Sequence, residues 1–148
     1  MPTRAQDLPL LLLAAAAEVT EAVHAGVVAA GFDDVRPSHG FAFVRMAPDG
    51  ATVGEIAEHL GVTKQAASQL VEELVNKGYA QRNPHPRDAR ARLITLTERG
   101  WAATRAADAA FAGFTARWAD SLGGTTVSEL RDVLARVVRP GRVRPSAW

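Results

Sequence analysis

Lys64, Gln65, Ser68 and Gln69 recur on one helical face of "TKQAASQLVEELVNKG", and Arg87, Arg90 and Arg92 crowd "HPRDARARLITL" a little further on. These residue types suit nucleic acid. A glutamine amide bonds adenine in two places, a serine hydroxyl bonds either kind of base, and lysine bonds guanine or a phosphate. Arginine enters a narrow minor groove or pairs with backbone phosphates. Thr63 stands at the head of the first stretch, where a helix N-terminus favours a phosphate. The competing account is a solvated polar face followed by an exposed loop. Glu72 and Glu73 on the same helix weigh towards a protein-binding module. Asp88, set among arginines, reads as structural: it can bond loop amides or pair with a neighbouring guanidinium. Arg90 is the strongest candidate contact of the three arginines.

Other chemistries lack their residues. There is no G-x-S-x-G elbow, no H-E-x-x-H, no phosphate-binding glycine loop and no paired carboxylates in a cleft-like setting. His24, His39, His59 and His85 show no ligand spacing, and the chain has no cysteine. No catalytic residue, cofactor or metal is therefore expected, and thiol-based redox sensing is excluded.

The elements that must position the two clusters follow from periodicity and caps. In "TVGEIAEHLGVTKQAASQLVEELVNKGY" two helices flank a break at Gly61, the arrangement of a helix-turn-helix. Thr52 and Glu55 form a capping box for the first, which runs to Leu60, and Thr63 caps the second, which runs to Lys77 and stops at Gly78. Ile56, Ala57, Leu60, Val62, Ala67 and Leu70 can close a shared core. Ala67, Leu70, Val71, Leu74 and Val75 make one apolar stripe, opposite the face of Gln65, Ser68, Gln69, Glu72 and Asn76. Tyr79–Arg82 and Arg92–Leu96 read as the strands of a hairpin around "NPHPRDARA". A hairpin directly after such a helix is a wing, which gives the arginine cluster a reason.

A helix is expected from Leu8 to about Ala30, with Asp7 as its cap and Gly31 as its stop, and a short one from Pro37 to about Met46. "PDG" at 48–50 marks a turn. Thr97 caps a long helix over Glu98–Leu122, ended by Gly123 and Gly124. "TVSE", Thr126–Glu129, opens a last helix to about Val138, and "GRVRPSAW" is a basic tail.

The 148 residues suit one domain with a real core. A net charge of +1 conceals sorting: residues 1–63 carry 3 basic and 8 acidic side chains (−5), whereas 64–99 and 100–148 each carry 7 and 4 (+3). A polyanionic partner is therefore compatible with the near-neutral total. The run "LPLLLLAAAA", Leu8–Ala17, is too short to span a bilayer. Asp7 precedes it where a signal would be basic, and Val19, Val23 and Val27 continue the helical spacing, so a buried helix of a cytoplasmic protein is expected rather than a cleaved leader. Apolar nearly all round, its first half is either a central core helix or half of a dimer interface. The interface is the favoured account.

The helix-turn-helix, together with "RDARARLITLTERG", resembles the MarR (multiple antibiotic resistance regulator) family of winged helix-turn-helix transcription regulators. The wing pattern is the specific part: Asp88, Arg90, small Ala91, Arg92, then Leu96 and Thr97 leading into a long helix. The resemblance covers almost the whole chain. It implies a mainly α fold with a small β-hairpin, in which a winged helix-turn-helix (37–97) is flanked by dimerisation helices (8–30 and 98–138), with a basic tail at 139–148. It implies a homodimer that reads a pseudo-palindromic operator, and commonly a repressor released by small aromatic or phenolic anions. The effector cleft would lie near Ser38, His39, Phe41, Arg45 and Trp101, where Arg45 could meet an anion and the aromatics could stack. Ordinary packing or exposure competes for each, and Ser38 and His39 could instead touch phosphate.

Overall fold

Apolar residues spaced for helices, punctuated by caps and glycines, produce the elements in chain order. The structure, a computed structural model, describes residues 3–139. It comprises α1 Arg4–Ala29, α2 Pro37–Met46, α3 Val53–Leu60, α4 Lys64–Asn76, β1 Ala80–Pro84, β2 Arg92–Leu96, α5 Glu98–Leu122 and α6 Gly124–Val137. The mainly helical fold with one small hairpin is as the sequence predicts.

Several ends differ from expectation. Helix α1 begins at Arg4, so Asp7 lies in its first turn, where a carboxylate complements the helix dipole instead of capping it. The α6 helix begins at Gly124 directly after Gly123, so Thr126 falls inside the first turn and no side chain caps the end. Thr52 does cap α3, its hydroxyl accepting from the Glu55 N–H at 3.2 Å. The other half of that capping box is missing, because the Glu55 carboxylate accepts from Arg45 Nη2. The basic tail beyond Arg139 lies outside the described residues.

The core belongs to the middle of the chain. Ala42, Phe43, Met46, Ile56, Leu60, Ala67, Val71, Leu74, Tyr79 and Ile94 are buried together, with Ala103 of α5 closing one side. Strands β1 and β2 pair antiparallel from Ala80–Leu96 to Pro84–Arg92. Ala51 adds a third edge: its N–H donates to the Ile94 carbonyl at 2.9 Å, and its carbonyl accepts from the Ile94 N–H at 2.8 Å. Gly50 permits that approach, since at φ 80° a Cβ would stand 2.9 Å from Ile94 O. The sequence showed this segment only as a turn.

Helix α1 is not a core helix of the single chain. Leu8, Leu10, Leu11, Leu12 and Leu13 are exposed, and α6 buries no residue. By length and composition Asp7–Ala29, with mean hydropathy 1.5, could cross a membrane, although Leu8–Ala17 alone could not. Glu18, Glu21 and His24 interrupt that length, and the helix packs its Val27 side against α5 and the core.

Candidate nucleic-acid interface

The α3–α4 turn places the polar face. Gly61 ends α3 with φ 66°, a left-handed conformation that favours glycine, and the Val62 N–H closes back on Ala57 O at 3.0 Å. The Thr63 hydroxyl accepts from the Ala66 N–H at 3.1 Å, so this residue caps α4. Leu70, Val71 and Leu74 then bury one side of α4. Lys64, Gln65, Ser68 and Gln69 are left on the opposite, exposed side. Among the described residues, none of these four side chains is engaged by an intramolecular hydrogen bond or ion pair. Their donors and acceptors are free for an external partner.

The wing is shaped by two side chains. His85 Nδ1 accepts from the Arg87 and Asp88 N–H groups, both at 3.1 Å. Asp88 Oδ1 accepts from the Arg90 N–H at 3.0 Å, and the Asp88 carbonyl takes the Ala91 N–H at 3.1 Å. The Asp88 carboxylate also lies 3.7 Å from Arg90 Nε. At that distance the guanidinium, 94% exposed, is barely restrained. Arg87 and Arg92 are exposed as well. Sequence reasoning missed His85 as a loop organiser; its place just before the turn was the available signal.

Glu72 and Glu73 have different surroundings. Glu72 is exposed. Glu73 turns to the side of α4, where Oε2 accepts from Arg36 Nη2 at 2.5 Å and Oε1 lies 2.9 Å from Lys77 Nζ. Lys77 first, then His39 and Arg36, hold its carboxyl below the usual range. One of the two acids that argue against a polyanion is thereby neutralised within the fold.

The residues proposed for an effector cleft are only partly gathered. Ser38 and His39 are buried in α2. His39 Nδ1 accepts from the Arg36 N–H at 3.0 Å, so in the neutral ring Nε2 carries the proton, facing Glu73 Oε2 at 3.4 Å. Burial holds the imidazole pKa below its ordinary value, with Glu73 partly opposing. Arg45 is ion-paired with Glu55, Phe41 is half-buried, and Trp101 is exposed near the start of α5. An anion at Arg45 would compete with Glu55, and His39 already has partners at both ring nitrogens.

Residues 41–91 match the model of the MarR family. The chain is similar to a MarR-family transcriptional regulator from Rhodococcus sp. RHA1, at 26% identity and TM-score 0.73, covering 97% of this chain and 100% of that one. CouR from Rhodococcus jostii RHA1, solved with p-coumaroyl-CoA, matches at 26% identity and TM-score 0.72, covering 97% and 99%. A MepR variant from S. aureus, solved with an oligodeoxyribonucleotide, shares the fold at 20% identity and TM-score 0.62, covering 87% and 94%. No curated protein matches the sequence.

Proposed function

We propose that this chain, whose residues 41–91 match the MarR family model and whose fold is similar to that of a MarR-family regulator, is a cytoplasmic, non-enzymatic repressor. It binds a pseudo-palindromic operator as a homodimer. The observation that carries this reading is the unengaged polar face of Lys64, Gln65, Ser68 and Gln69 beside an arginine-tipped wing. The α4 face reads base edges in the major groove, and the wing arginines hold the adjacent backbone or minor groove.

The dimer reading is supported by the exposed leucines of α1 and by Val133 and Val137 on α6, apolar surface that a single chain leaves in water. An aromatic acyl or phenolic anion is the effector class we favour. CouR holds such a ligand at 26% identity, and Arg45, Phe41 and Trp101 could supply charge and stacking.

Selection of duplexes from a random pool by the purified protein at near-physiological salt tests the reading. Enrichment of an inverted repeat with half-sites about one helical turn apart is expected. A folded dimer that enriches nothing would overturn it in favour of a protein-binding winged helix.

A further inference from the structure

We infer that Glu73, Lys77, Asp34 and Arg99 form an ionic truss that sets the angle of α4 against α5, and that this truss makes the protein selective for the separation of its two half-sites. The inference rests on the proposed reading of α4 and of the dimer. In it these four are positioning residues, acting through the orientation of Lys64–Gln69.

The contacts run without interruption across the molecule. From the segment between α1 and α2, Arg36 donates to Glu73. Glu73 meets Lys77 one turn along α4, and Lys77 Nζ also donates to the Asp34 carbonyl at 2.8 Å. The Asp34 carboxylate accepts from the Tyr79 hydroxyl and stands 3.3 Å from Arg99 Nη2 on the first turn of α5. Arg99 returns through Nη1 to the Lys77 carbonyl at 2.7 Å, with its guanidinium carbon 4.3 Å from the centre of the Tyr79 ring. The C-terminal turn of α4 is thus tied to the α1–α2 segment and to α5, far in sequence from both.

Geometry explains why this end matters. The apolar stripe of α4 holds the helix on the core but is non-directional and tolerates small rotations. Charge-assisted hydrogen bonds are short and directional, so they select one orientation. Gln65 lies about 18 Å along the helix from Lys77. A tilt of about 10° about the Lys77 end would move the reading residues about 3 Å, close to the rise of one base pair. Ion pairs this exposed add little to stability, so their main effect is on orientation. Acidic and basic partners alternate along the truss, which runs beside the buried His39 and Tyr79.

The test measures dissociation constants for the wild type and Glu73→Gln on the selected operator and on duplexes with one base pair added or removed between half-sites. Glu73→Gln is expected to bind the correctly spaced operator nearly as tightly as wild type, while its discrimination against misspaced duplexes falls by about threefold or more. Asp34→Asn should behave alike. Lys77→Arg, which keeps a cation between Glu73 and Asp34, should retain wild-type discrimination. Should Glu73→Gln fail to fold, Arg36→Gln, at a side chain 57% exposed, takes its place. Unchanged spacing discrimination in these folded variants would overturn the inference. Failure of the wild type to bind any duplex would overturn the proposed function itself, a separate outcome.

Discussion

At the scale of single residues, the division between reading and holding DNA is testable. Gln65 and Gln69 carry free amides on an exposed face. Gln65→Ala or Gln69→Ala should weaken operator binding by about 1–3 kcal/mol and leave random DNA nearly unaffected, by titration on both duplexes. Arg90→Ala should weaken both and reduce the salt slope by about one. An unchanged slope would remove Arg90 from the interface. His39 makes a second case. Its pKa in the folded protein lies below the ordinary 6.5, because burial penalises the charged ring. The unfolded chain therefore binds the proton more readily. Stability from this group is complete above about pH 6.5 and declines as pH falls through the window below it. Glu73 and Asp34, also lowered, extend the decline below their ordinary 4.5 and 3.8. Urea midpoints should drop between pH 7.5 and 5.5 in the wild type. The drop should be smaller in His39→Asn, whose amide oxygen can still accept from Arg36 N–H.

Elements are positioned by close approaches that a single methyl would prevent. Gly100 sits in the first turn of α5 against the residue before β1 and the end of β2, where an added Cβ would lie 2.2 Å from the Tyr79 carbonyl and 3.1 Å from Leu96 Cδ2. Backbone cannot yield as a flexible side chain can. Thr97 fixes the same junction, its hydroxyl donating to Gly78 O at 2.6 Å while accepting from Gly100 N–H at 3.2 Å. Gly100→Ala should therefore destabilise the fold by about 1–3 kcal/mol or more through overpacking, despite the better helix propensity of alanine. Thermal unfolding decides this. A variant as stable as wild type would show that α5 can shift away from β1 freely.

For the whole molecule, the distribution of burial is uneven. The core lies almost entirely between Val27 and Ala103, whereas Leu11 and Leu13 of α1 are 66% and 63% exposed and Val137 of α6 is 75% exposed. Side chains of this size gain about 1.5–3 kcal/mol each on full burial, so several together can drive association. Sedimentation should find the wild type as a dimer of 15.7 kDa chains and Leu11→Asp shifted towards monomer, with operator affinity lost in parallel. A wild type that sediments as a monomer at micromolar concentration would refute the dimer.

Local sequence signals mark the elements and the class of fold, though not every helix end. Caps, glycine stops and the period of the apolar stripe act over a few residues, so the bounds of α4, β2 and α5 are written locally, to within a residue. The wing was legible for the same reason, since Asp88 and Arg90 are neighbours in the chain. Partners brought together across long separations emerge only when the chain folds. Glu73 and Arg36, 37 residues apart, and Tyr79 and Asp34, 45 apart, carry no local signal of their pairing. Likewise, pattern alone marked α1 as apolar but could not say how much of it the chain's own core would cover. Burial depends on what packs against a surface, and that is settled only when the whole chain is folded.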